Sequence, residues 1–293
     1  DLTLSENLIL GGGSTAPDAT CGVSGSSTSV GVEINAVPTG FSFNAVSGGS
    51  GPSSGCATSS SVGIDTVGGL FQNSFVDGGS ACGGPNDRSV GYRVRAGEDI
   101  TIENAVILGG SSANPVGVRV DAGGGYTLGA VTFYDVSGED NSVAIESDGI
   151  GGTVRNSIFF DYAVAIRDLS ESASLSVVGN NAFQVRDAIY EPFGDNAVVT
   201  VGELEAALAG ATGNTEGGVV FVDPAGPDGD PLTLEDTNLN LAPESSCDVR
   251  EGGQSNVVSI ATDLDISPRT TFFSCTPTVS NAGGWSMGAY ETE

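Results

Sequence analysis

The feature that most constrains this chain is a repeat. A phrase of two apolar residues flanking a small one returns six times: Val30-Gly31-Val32, Val62-Gly63-Ile64, Val90-Gly91-Tyr92, Val116-Gly117-Val118, Val143-Ala144-Ile145 and Val164-Ala165-Ile166. The intervals are 32, 28, 26, 27 and 21 residues. Such alternation predicts a strand with both apolar side chains on one face and the Gly or Ala on the other. A second phrase, a strand that ends in Asn and resumes apolar, centres on Asn7, Asn44, Asn73, Asn104, Asn156 and Asn180. Its longest interval, 52 residues, contains a middle copy, YTLGAVTF, that lacks the Asn at Gly129/Ala130. Four copies run on into Gly-Gly, at Gly11-Gly12, Gly48-Gly49, Gly78-Gly79 and Gly109-Gly110.

A period of about 20 to 35 residues built from two short strands and turns is the signature of a solenoid. The expected fold is all-β: a right-handed parallel β-helix, with rungs about 4.8 Å apart. Regular rungs are expected over 1–190, with irregular rungs and a closing segment of the same domain over 191–293. Asn tolerates the left-handed region at a tight turn, and its amide can bond the Asn one rung away. The six Asn are therefore read as a structural ladder, and the Gly pairs as positive-φ corners. Thr200-Val201-Gly202-Glu203 has the form of a capping box and Gly210 that of a stop, which predicts one short helix near 201–210.

Charge narrows the function. All nine basic residues are Arg, against 37 acidic ones, for a net charge of −28, and there is no His. Nucleic-acid affinity comes mainly from Lys and Arg neutralising phosphates, so that partner class is excluded, as is a polybasic membrane contact. No apolar run approaches the roughly 18 residues of a membrane-spanning segment. The commonest general base and metal ligand is missing with His.

The residue after the first phrase forms a column: Glu33, Asp65, Arg93, Arg119, Glu146 and Arg167. Solvated ion pairs are expected there, Asp65 with Arg93 and Glu146 with Arg119 and Arg167. A glycan-binding face would instead use aromatics on solvent-facing strands, and Tyr92, Tyr126, Phe133 and Tyr134 are the residues to inspect. A glycosidase needs two facing carboxylates, for which Asp135, Asp148 and Asp161 are candidates. A lyase would need an Arg base such as Arg93, Arg95 or Arg119. None of these forms a recognisable catalytic pattern, and a non-catalytic protein is expected. The Gly/Pro-rich loop VDPAGPDGDPLTLED carries Asp223, Asp228 and Asp230, oxygen ligands of the kind calcium takes.

The last quarter is similar to the end of bacterial surface-anchored β-helix repeat proteins with a choice-of-anchor-type C-terminal region. Phe221, Asp223 and Pro224 match the first piece of that pattern, and Leu241, Pro243, Ser245, Asp248 and Gly252 the second. Thr262, Asp263, Asp265, Pro268 and Arg269 match the third, and Gly288, Ala289, Tyr290 and Glu291 the last. Cys247, Ser267 and Met287 depart from it. The resemblance implies an exported surface or adhesive role and names no ligand.

Five Cys in a Ser/Thr-rich acidic chain favour an oxidising, extracellular setting. Cys247 and Cys275 flank the TDLD segment and are expected to bridge. Cys21, Cys56 and Cys82 fall in successive loops, where Cys21–Cys56 or Cys56–Cys82 can pair and one thiol remains. Asp1 opens directly on a strand-like pattern, which reads as a mature, processed chain. The expected protein is a cell-surface structural subunit of a layer, fibre or adhesin. Its expected partners are copies of itself, head to tail, or surface glycans.

Overall fold

The computed structural model describes residues 3–5, 8–10, 26–38, 40–42, 45–49, 58–81, 84–95, 97–172, 175–226, 238–255, 264, 275–280 and 282–290. Asn7, Asn44, Cys21, Cys56, Cys82, Asp228 and Asp230 lie outside them.

The chain begins with β1 (Thr3–Ser5), β2 (Leu8–Leu10), β3 (Ser26–Ile34), β4 (Gly40–Ser42), β5 (Ala45–Ser47), β6 (Thr58–Thr66) and β7 (Gly69–Asp77). It continues through β8 (Arg88–Val94), β9 (Ile100–Leu108), β10 (Asn114–Val120), β11 (Tyr126–Tyr134), β12 (Val143–Ser147), β13 (Gly152–Arg155) and β14 (Ile158–Phe160). Then come β15 (Val164–Asp168), β16 (Leu175–Gly179), β17 (Ala182–Gln184), β18 (Ala188–Glu191) and α1 (Val201–Ala207). The last are β19 (Ala211–Thr212), β20 (Thr215–Glu216), β21 (Phe221–Asp223), β22 (Asn238–Leu241) and α2 (Cys247–Glu251).

The molecule is mostly β, with two long parallel sheets consistent with a β-helix or solenoid. One has seven strands in the order β18-β15-β12-β10-β8-β6-β3. The other has thirteen, with a spine β1-β4-β7-β9-β11-β13-β16-β19 and a second row through β2, β5, β14, β17 and β20. Each rung gives one strand to the first sheet and either a bent strand or two half-strands to the second. The bend falls on the repeated Asn. Asn73, Asn104, Asn156 and Asn180 have φ of 49°, 57°, 51° and 54°, and Ala130 joins them at 53°. Asn tolerates this region because its short polar side chain bonds locally, whereas Ala has no such relief.

The first phrase does not place its apolar pair on one face. Val62, Val90 and Val116 form a cluster of their own with Val30, while Ile64, Tyr92, Val118, Ile145 and Ile166 enter the main core. The Gly between them has no room for a side chain. A Cβ on Gly63 would lie 2.6 Å from the Asp77 carbonyl oxygen and 2.8 Å from Val76 Cγ1. Close backbone approach, not alternation, requires the small residue. In the Gly-Gly pairs the two members differ. Gly79 and Gly110 have φ of 74° and 82°, while a Cβ on Gly78 would be 2.4 Å from the Gly109 carbonyl oxygen.

Inside the rungs, identical residues stack. Phe133, Phe159 and Phe183 lie in one column with centroids 4.9 Å apart and planes within 8° and 12°. That spacing is the rung repeat itself, about 4.8 Å. Phe41, Phe71 and Tyr92 pack at 5.1 and 5.4 Å in tilted and edge-on pairs.

Helix α1 forms as expected. Thr200 accepts from the Glu203 N–H, and the Glu203 carboxylate accepts from the Thr200 N–H, so two orphan donors are satisfied. Its Leu204 is fully buried in the main core. Strands β19 and β20 add the last parallel half-rung. Beyond it the described residues lie along the outside of the thirteen-stranded sheet. There Val219, Phe221, Leu239, Leu241, Val249, Met287 and Ala289 cover Val106, Leu108, Ile158 and Ala182. Among the described residues, no helix is long and apolar enough to cross a membrane.

Candidate functional surfaces

A left-handed residue interrupts a sheet, so the next backbone N–H loses its ladder partner. Side chains from the following rung supply one. Val131 N–H donates to Ser157 Oγ (3.3 Å), Ser157 N–H to Asn181 Oδ1 (2.8 Å) and Asn181 N–H to Asn214 Oδ1 (3.1 Å). Sequence reading missed Asn181 and Asn214; the signal was there in the doubled Asn180-Asn181 and in Asn214 after Gly213, which has φ 70°.

The expected ladder divides in two. Asn104 Nδ2 donates to Asn73 Oδ1 at 2.5 Å, one rung to the next. Asn156 and Asn180 bond the closing segment instead. Asn156 donates to the Gln254 carbonyl (2.7 Å) and accepts from its N–H (2.8 Å). Asn180 donates to the carbonyls of Gly252 (2.7 Å) and Ser280 (3.0 Å). Between the two halves lies Ala130, the rung without Asn. Trp285 packs against it, with only 6% of its surface exposed. Gly288 N–H donates to the Asn156 carbonyl (2.6 Å), and Ala289 N–H to Thr132 Oγ1 (3.0 Å). The missing Asn is a notch, and the closing segment fills it.

The outer face of the seven-stranded sheet carries the charged column. Its partners differ from the expected ones because each Arg has carboxylates within reach on the rungs to both sides and further along its own strand. Asp65 pairs with Arg95 (3.1 Å), not Arg93, and Arg95 also reaches Glu33 (3.5 Å). Arg93 pairs with Asp121 (3.3 Å), which Arg119 shares (3.0 Å). Glu146 takes Arg119, as expected, together with Arg88 at 2.5 Å. Arg167 pairs with Glu191 (2.5 Å) rather than Glu146. Burial raises the pKa of Asp65, and Arg95 and then Arg93 oppose it.

Two of the candidate carboxylates meet around a cation. Arg186 bonds Asp135 Oδ2 (3.0 Å), the carbonyls of Gly138 and Glu139 (2.6 Å each) and Ser142 Oγ (2.9 Å). Asp161 Oδ1 lies 3.8 Å from its Nε. Burial raises the Asp161 pKa, with Arg186 opposing. Asp135 also accepts from Ser137 N–H (2.8 Å) and Oγ (2.6 Å), and its side chain is 1% exposed. The guanidinium thus sits where an oxygen-rich loop would hold a metal, and Asp135 faces no solvent. Asp148 is not part of this group.

Tyr92, Tyr126 and Phe133 are core residues, and half-buried Tyr134 packs against Phe160 and Phe221 at 5.4 and 5.8 Å. Asp223 is exposed at the end of β21, opposite Asn238. Cys247 and Cys275 form a disulfide with Cα atoms 6.0 Å apart. Glu251 has a carboxylate oxygen within 4.8 Å of both sulfurs, but its Oε2 accepts from Cys275 N–H (3.2 Å) and the bridged sulfurs are not free thiolates. A polar cleft of about 320 Å³ opens between α1 and the closing segment, lined by Glu205, Asn214, Thr215, Asp248, Thr278 and Ser280. Asp248 is already engaged by the Thr278 and Val279 N–H groups and the Thr278 hydroxyl. Neither family models, nor curated proteins, nor solved structures give a match to this chain.

Proposed function

We propose that this chain is a right-handed parallel β-helix that serves as a non-catalytic structural protein of the extracellular surface, in a layer, fibre or adhesin. The surface proteins with a choice-of-anchor-type C-terminal region are the relatives this reading points to. The observation that carries it is where the polar side chains go. Asn104 bonds Asn73, Ser157 bonds Asn181, Asn181 bonds Asn214, and the outer Arg residues bond carboxylates of other rungs. Groups that in an enzyme would converge on a cleft here join one rung to another, as a rod under mechanical or osmotic load requires. The oxidising compartment is supported by the Cys247–Cys275 bridge. The glycan-binding alternative keeps one of its four stacking candidates, half-buried Tyr134, because Tyr92, Tyr126 and Phe133 are buried.

Electron microscopy of the protein on and off its native surface tests this reading. Ordered layers or filaments are the expected result. Isolated rods that bind polysaccharide and never assemble would overturn it.

A further inference from the structure

The charged face of the seven-stranded sheet departs from the chain's overall charge. Its ion-pair network over β3 to β12 ties Arg88, Arg93, Arg95 and Arg119 to Glu33, Asp65, Asp121 and Glu146. Four charges of each sign make this network neutral, on a chain whose net charge is −28. Two copies repel over most orientations, and least where these networks meet.

The order of the charges adds a direction. Along the first four strands of this sheet, Glu33, Asp65, Arg93 and Arg119 stand in register, two negative then two positive. Under a two-fold axis parallel to the strands and placed between β6 and β8, the strand order of the second copy is reversed. Glu33 then faces Arg119 of the second copy, and Asp65 faces its Arg93. Neighbouring positions agree. Arg95 falls opposite Val67, Asp121 opposite Asn35 and Arg88 opposite Ser60, so no like charges meet. Both copies share one rung spacing, so each pair aligns when any one does. Glu33 and Arg93 supply the exposure, with 55% and 41% of their side chains accessible, while Arg119 and Asp65, at 27% and 12%, present only an edge.

We propose that this face is the lateral contact between copies of the chain, formed by antiparallel overlap of the first four strands of the seven-stranded sheet. The inference rests on the structural reading above and deepens it by naming the interface. Four rungs by seven residues cover roughly 440 Å² per copy, about half the 800 Å² of a standard interface. A single contact is therefore weak and closes as a pair, so it strengthens a layer or fibre only where a second contact links the pairs.

Sedimentation equilibrium of the full chain at high concentration and low salt tests it, comparing wild type with Glu33→Arg and with Glu244→Arg on the exposed closing segment. Both substitutions replace one negative charge by one positive, a net change of +2, which on general repulsion alone strengthens association. The proposal predicts that Glu33→Arg weakens it by roughly tenfold or more, because Arg then faces Arg119. Glu244→Arg leaves association unchanged or stronger. Circular dichroism melts of each variant confirm that the fold is retained, and Arg93→Glu supplies a second disruption of the same contact. If wild type associates and Glu33→Arg and Arg93→Glu do not weaken it, the interface is wrong while the assembly reading survives. If wild type stays monomeric throughout, this lateral contact falls, and microscopy of the native surface decides the assembly reading separately.

Discussion

The rungs and the closing segment are held by different physics. Between β7 and β15, each strand pairs with its neighbours on both sides, and the interior columns are aromatic or aliphatic. Among its described residues, the closing segment has one short antiparallel pair, β21 with β22, and one isolated bridge, Gly253 with Trp285. It is fixed by a disulfide, an apolar patch, the Asn156 and Asn180 amides and one Trp in one notch. Stacking distributes stability over many equivalent contacts, as expected of repeat architectures. A strap concentrates it in a few, so single changes there have local consequences.

The largest expected effect is in the rungs. Phe159→Ala removes the middle ring of the Phe133–Phe159–Phe183 stack and is expected to cost about 4 kcal/mol, read as a fall in the denaturant midpoint of the whole rung region. A loss confined to the closing segment would break the comparison. Reducing Cys247–Cys275, 28 residues apart, comes next: about 3.5 kcal/mol by the loop-entropy model. Limited proteolysis with and without reductant should show new cleavage in 238–290 and none in β7–β15. Third is Ala130→Asn, which restores the ladder residue at its left-handed position but crowds Trp285. A loss of roughly 1–3 kcal/mol in strap attachment is expected, followed by Trp fluorescence. A gain would show that the notch is not what Trp285 needs.

The smallest effect is that of pH, and its sign separates the rungs from helix α1. Burial raises the pKa of Asp65, Asp77, Asp161 and Asp168, all within the rungs. A carboxyl whose folded pKa is raised contributes stability that is fully present below its unfolded value, near 3.8, and lost as pH rises through the folded value. Mild acidification should therefore raise the melting temperature of the rungs. Glu203 in the capping box is shifted the other way by the Val199 and Thr200 N–H groups, so its contribution is lost as pH falls through its lowered pKa. Helix α1 should fray in acid while the rungs tighten, and far-ultraviolet dichroism against pH reads both.

The same contrast explains what could be read from the sequence. The left-handed column was legible because Asn recurs there for a reason of backbone geometry. Helix α1 was legible because the Thr200–Glu203 spacing is a local signal. The apolar pairs were misread as sharing a face, since the approach of the Asp77 carbonyl to Gly63 is a tertiary fact with no period. Ion-pair partners differ from the expected ones where Arg93 and Arg167 turn to the following rung and Asp65 takes Arg95, two residues beyond Arg93. The fold-back after β20 was hidden because three-residue apolar pieces such as Phe221–Asp223 carry no register. The Ala130 gap was visible, but only Trp285, 155 positions later in the chain, gives it meaning.

The central claim is that a cooperatively stacked body carries a separately attached strap. Native-state hydrogen exchange read by mass spectrometry tests it most directly. The account predicts that amides of β9, β11 and β12 exchange only through global unfolding, while those of 285–289 exchange through a lower-energy opening that reduction of Cys247–Cys275 lowers further. Equal protection in both regions, lost together and indifferent to reductant, would contradict it.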